Sequence, residues 1–151
     1  MIFKLCSAFA LAQNASDPRA PITDIYKTYT AENDVPGYSD VYSKQLEALV
    51  DADLKAQEPG DSASIDWYVF VNGNAWELSK LAITLVSKSA TRAQVRARFF
   101  NFKEQQDRPF DLIVADGRWV IDDVRATQKG HRWTMSKILT HAPDAFPDEK
   151  K

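Results

Sequence analysis

The sequence predicts an α+β domain with N-terminal helices packed on a curved antiparallel β-meander and a short C-terminal helix. Three observations predict it. Up to about Gln57, apolar residues recur at helical spacing. From Trp76 onward they alternate with polar ones, as half-buried strands do. Asp116-Gly117, between two alternating stretches, is a strong signal for a tight hairpin. The 151 residues, 44% hydrophobic and 11% aromatic, suffice for one globular core without disulfides.

Met1 to Ala12 reads as an address. Lys4 precedes an apolar run, Leu5 to Ala12, ending in the small-x-small pattern Ala10-Leu11-Ala12. Cleavage there leaves residues 13–16 as a flexible lead and a single domain over 17–141. It also removes Lys4 and Cys6, so the net charge moves from −2 to −3 and no cysteine remains. Cys6 follows Leu5 rather than a small residue, which disfavours lipid attachment. The competing reading of this segment is an ordinary N-terminal arm. No stretch approaches the ~20 apolar residues of a membrane span. The expected location is periplasmic or secreted.

Asp17-Pro18 opens the first helix, since a proline loses nothing in a first helical turn. Ile22, Ile25, Tyr26 and Tyr29 form its apolar stripe, and it is expected to end near Glu32, before the loop Asn33-Asp34-Val35-Pro36-Gly37. Ser39 or Asp40 is the expected cap of a second helix, about Val41 to Gln57, with its stripe on Val41, Tyr42, Leu46, Leu49, Val50 and Leu54. Glu58-Pro59-Gly60-Asp61 stops it. Ile65 to Val71 is dense in apolar and aromatic residues, fitting a strand or an irregular buried segment before the Asn72-Gly73 turn.

Four strand-like stretches follow: Trp76 to Val86, Thr91 to Phe102, Pro109 to Ala115 and Arg118 to Val124. Phe99, Phe100 and Phe102 break the alternation of the second, which points to a bulge or a change of face there. Thr134 to Thr140 fits a short helix, and residues 142–151 a flexible tail.

Several of these strings together resemble one family. They are Ile25-Tyr26-x-x-Tyr29, then Tyr42-Ser43-x-x-Leu46-x-x-Leu49-x-x-Ala52-Asp53, then Asp66-x-x-x-Phe70-x-Asn72-Gly73, and last Asp116-Gly117-Arg118-Trp119-Val120-Ile121-Asp122-Asp123-Val124. Over about Asp17 to Leu139 the chain resembles the domain of unknown function DUF3828. The resemblance implies an NTF2-like or cystatin-like α+β cone in an exported bacterial protein, and no activity comes with it. Gln128 to Trp133 departs from the glycine-rich stretch such domains often carry before the last helix.

Counts exclude several functions. A net charge of −2 supplies no basic field for nucleic acid. One cysteine and two histidines, His131 and His141, form no metal motif, and no cofactor is expected. On a regular strand Asp122 and Asp123 point to opposite faces, so they serve one substrate only if a bulge turns them. A structural role is the simpler reading, with hydrogen bonds from a helix N-terminus or from Arg96, Arg98 or Arg125. Arg92, Arg96, Arg98, Lys103 and Arg108 make the meander locally basic, as a solvated strand face.

Three functions remain. The first is a non-catalytic exported binding domain for a small molecule or an envelope protein. Trp67, Tyr68, Asn72, Arg98 and Trp119 are its candidate ligand contacts, the aromatics giving area and the polar groups orientation. The second is a small isomerase- or dehydratase-type enzyme, with Asp66, Asp122 or Asp123 as base and Tyr68 as donor. The third is a periplasmic immunity or inhibitor protein that plugs a toxin or hydrolase with a rigid protrusion.

Overall fold

The computed structural model describes residues 17–30 and 37–149. The expected signal segment, the 13–16 lead, the expected end of the first helix and most of its following loop lie outside the described residues. Among the described residues the fold is α+β: two helices, a five-stranded antiparallel open sheet and a short C-terminal helix.

Helix α1, Arg19–Thr30, is capped by Asp17, whose side chain accepts the Arg19 N–H at 2.9 Å. Its stripe, Ile22, Ile25, Tyr26 and Tyr29, is buried as the spacing requires. Helix α2, Lys44–Lys55, starts later than the sequence predicts. The reason lies in the sheet: Val41 C=O accepts from Ile121 N–H at 2.8 Å, and Ser43 N–H donates to Ile121 C=O at 2.7 Å. Residues 41–43 thus cover part of a strand edge in extended form. Ser43, rather than Ser39 or Asp40, is the N-cap, with its Oγ accepting from Leu46 N–H at 3.2 Å.

The sheet runs β1 (Leu78–Lys88), β2 (Arg92–Asn101), β3 (Glu104–Ala115), β4 (Arg118–Ala126) and β5 (Trp133–Thr134), each beside its sequence neighbour. Helix α3, Met135–Leu139, follows. Asp116 and Gly117 both have positive φ, 51° and 76°, as their two-residue hairpin needs. The β2–β3 register is unbroken to Asn101–Glu104, and Phe102-Lys103 is the turn. The irregularity near Phe99 falls instead on β1, between Ser79 and Ala82, where Lys80 takes φ 54°.

Strand β3 begins at Glu104, five residues before the expected Pro109. Its first half looks like a loop in sequence because Gln106 and Arg108 occupy core-facing positions. Arg108, expected on a solvated basic face, is 0% exposed. Its Nε donates to Val69 C=O (2.9 Å), its Nη1 to Asp107 C=O and Gln128 Oε1 (both 3.0 Å), and its Nη2 to Gln106 Oε1 (3.1 Å). The guanidinium lies 4.9 Å from the Trp133 ring centroid. Burial lowers its pKa to about 10.

Those bonds explain the segment 65–71. It has strand composition yet joins no strand of the sheet. Its carbonyls are taken by side chains instead: Val69 by Arg108, Phe70 by the Tyr26 hydroxyl at 2.9 Å, and Val71 by Asn101 Nδ2 at 3.0 Å. Phe70 then packs against Tyr38 and Phe110, with centroids 5.1 and 5.9 Å away. Residues 142–149, expected as a flexible tail, fold back onto the domain. Ala145 is buried, Phe146 packs on Trp67, and Asp148 binds the Arg132 backbone and guanidinium.

Candidate functional site

A hollow of about 780 Å³ lies between α2, the β1–β2 turn and strands β2 to β4. Asp111, Asp122 and Asp123 line it together with Lys88 and Arg92. The sharing of one hollow by Asp122 and Asp123 comes from a bulge. Asp111 pairs with Asp123 and Leu112 with Ile121, so Asp122 stands unopposed. Each carboxylate has a structural partner. Asp122 accepts from Ser43 Oγ at 2.8 Å, which ties β4 to the cap of α2. Asp123 accepts from Ser136 N–H and Oγ in the first turn of α3, at 3.1 and 2.5 Å. Asp111 accepts from Gln94 and Arg125. Arg96 and Arg98 engage Asp107 rather than the Asp122–Asp123 pair. Burial raises the Asp107 pKa, but the hydrogen bonds from Arg96 and Thr127 and the charges of Arg96 and Arg98 together outweigh it, and the net shift is downward.

A second hollow, about 180 Å³, lies between α2, residues 63–69 and α3. Tyr38, Tyr42, Trp67 and Tyr68 supply its aromatic wall, and Asp53 its carboxylate. Asp53 is 4% exposed. Its oxygens accept from Ser64 N–H at 3.0 Å and Ser64 Oγ at 2.5 Å. The His141 Nε2 lies 3.6 Å from Asp53 Oδ1, on an exposed imidazole that is a cation only when protonated. Burial raises the Tyr42 and Tyr38 phenols, so both rings stay neutral across the ordinary pH range. Tyr38 is fixed by its hydroxyl contact with Tyr29 at 2.9 Å. The Trp67 indole N–H is buried without a hydrogen-bond partner.

The structure brings together only part of the expected site. Trp67 and Tyr68 share the aromatic hollow. Asn72, at φ 63°, accepts from Trp133 Nε1 at 3.2 Å and joins Trp67 in an adjoining hollow of about 340 Å³. Arg98 sits on β2 facing Asp107, and Trp119 is buried at the start of β4. Neither lines the aromatic hollow. Asp66 is exposed, while Asp122 and Asp123 line a different hollow from Tyr68. The proposed acid–base set is therefore not assembled.

Asp53 is the residue that sequence reasoning missed as a site. Its signal is positional: it lies seven residues after Leu46 and three after Val50, on the apolar stripe. A carboxylate there must be buried or break the helix face. Among the described residues, no group of three or more His, Cys, Asp or Glu side chains is placed to hold a metal. No helix among them is long and apolar enough to cross a membrane.

No protein-family model, curated protein or solved structure matches this chain.

Proposed function

We propose that the chain is an exported, non-catalytic binding domain whose ligand site is the aromatic hollow between α2, residues 63–69 and α3. In this reading it is a DUF3828-like domain built on an NTF2-like cone, working in the periplasm or outside the cell. The observation that carries the reading is the wall itself. Four aromatic rings and one buried carboxylate line the same small hollow. The enzyme reading has less support, since Asp122 and Asp123 are committed to Ser43 and Ser136.

The test is a titration of labelled protein with small cationic, anionic and neutral apolar compounds, read on the Trp67 indole resonance. At least one class is expected to shift it. If none does, the hollow is not a ligand site. A periplasmic immunity or inhibitor protein is the second reading, and Phe102 favours it. This residue is 54% exposed at the β2–β3 turn with φ 53°, a strained apolar tip. A stoichiometric protein complex lost in Phe102→Asp supports that reading.

A further inference from the structure

We infer that the aromatic hollow takes a small organic cation of the alkylated ammonium class, held among Tyr38, Tyr42, Trp67 and Tyr68 and countered by Asp53. The inference rests on the reading above that this hollow is the ligand site, and it adds the ligand's charge and size.

The charge argument starts from Asp53. A carboxylate with a side chain 2% exposed has lost nearly all its water. Its hydrogen bonds come from Ser64 alone, and both donors are neutral. Among the described residues no lysine or arginine lies within ion-pair distance of it. Its ion-pair neighbour among the described residues is His141, whose exposed ring holds Nε2 3.6 Å from Oδ1. A buried anion so placed gains from any cation that reaches it. An anionic ligand would be repelled, and a neutral one would leave the charge uncompensated.

The rings select the kind of cation. Aromatic faces carry negative quadrupole density and attract a cation within ~6 Å, but they accept hydrogen bonds poorly. A primary ammonium entering such a wall would lose its bonds to water and could replace only part of them, at Asp53. An alkylated ammonium has few or none to lose. Size agrees: the hollow's 180 Å³ is below the ~300–1,000 Å³ of drug-sized sites, and at ~30 Å³ per water it holds roughly six water-sized groups. A trimethylammonium head on one methylene has about that bulk.

Calorimetric titration of the full chain with choline, at constant ionic strength, tests this. The comparison ligand is 3,3-dimethylbutan-1-ol, the same shape with carbon in place of charged nitrogen. Choline is expected to bind at least tenfold tighter than the alcohol. Asp53→Asn should weaken choline at least tenfold and leave the alcohol unchanged. If that variant fails to fold, the wild-type pair of ligands still decides. His141→Ala, at the exposed rim, should leave choline binding intact or tighten it. Equal affinity for choline and the alcohol overturns the cation and keeps the hollow as a binding site. So does a shift of the Trp67 resonance by neutral compounds with none by choline. If no compound binds, both readings fall.

Discussion

Arg108→Met tests the physical account of the aromatic segment. Methionine keeps much of the stem's volume and removes the guanidinium. Four hydrogen bonds of 2.9–3.1 Å are lost. Bonds from a charged donor contribute ~1.5–3 kcal/mol each, so the gross loss is roughly 6–12 kcal/mol. Against that, the arginine is 0% exposed and bonded only to carbonyl and amide oxygens, so its removal recovers several kcal/mol of desolvation. Some acceptors recover too. Gln106 Oε1 keeps its bond from Gln128 Nε2 at 2.9 Å, while Val69 C=O is left without its donor. The expected net loss is ~3 kcal/mol. In urea, with a slope of ~2 kcal/mol per molar, the midpoint falls by ~1.5 M. Local loosening should accompany it: the amides of Val71 and Asn72, which donate to Tyr68 C=O, should exchange faster than those of β2. An unchanged or raised midpoint would refute the reasoning. It would mean that the desolvation cost exceeds what the four bonds return.

Three smaller perturbations probe other joints of the fold. Ser43→Ala removes the α2 cap and leaves Asp122 Oδ1 without its donor, and should cost ~1–2 kcal/mol in the same denaturation assay. Phe102→Asn places a residue tolerant of positive φ at an exposed turn, and should raise stability by ~0.5–1 kcal/mol. The Arg132 hydrogen bond holds Asp148 at a pKa of about 2, well below its value in the unfolded chain. Its hold on the tail should be complete above ~pH 4 and lost as pH falls toward the folded value. Faster exchange of the Ala145 and Glu149 amides at low pH, and in Arg132→Ala at neutral pH, is the readout.

Most of the meander could be read from alternation. Ala93, Val95, Ala97 and Phe99 are all buried on one face of β2, and Asp116-Gly117 turns as its composition demands. What escaped reading were places where tertiary contacts override local pattern. The first half of β3 is polar, and only partners far away in sequence make Gln106 and Arg108 acceptable in a core. Val41 and Tyr42 have helical spacing, but bonds to Ile121 hold that stretch extended. Asp122 and Asp123 share a hollow because of a bulge that no one-strand pattern encodes. For the site, Trp67 and Tyr68 were visible as a candidate wall because aromatics cluster there. Asp53 was hidden among the other charged residues of α2, although its place on the stripe distinguishes it from Asp51 and Lys55.

Arg108 and Asp53 pose the same question with opposite charge: both are buried, and among the described residues Arg108 makes no ion pair while Asp53 has only the surface ring of His141 nearby. Their surroundings answer it differently. Arg108 lines none of the hollows described above, and its donors end on Val69, Gln106, Asp107 and Gln128. It fixes the chain at the point where a strand-like segment must stay out of the sheet. Nothing from outside can reach it without unfolding that segment. Asp53 is as deeply buried but faces a hollow. Its two bonds go to one serine, and they fix its orientation without neutralising it. A charge needed only for the fold could be replaced by asparagine, whose oxygen accepts from Ser64 N–H while its NH2 donates to a turned Ser64 hydroxyl, and which avoids the desolvation of an anion. Placing an anion at this wall therefore makes physical sense when its opposite charge arrives from solution. By the same logic, Asp53→Asn should hold or gain stability in the empty protein while it loses the ligand.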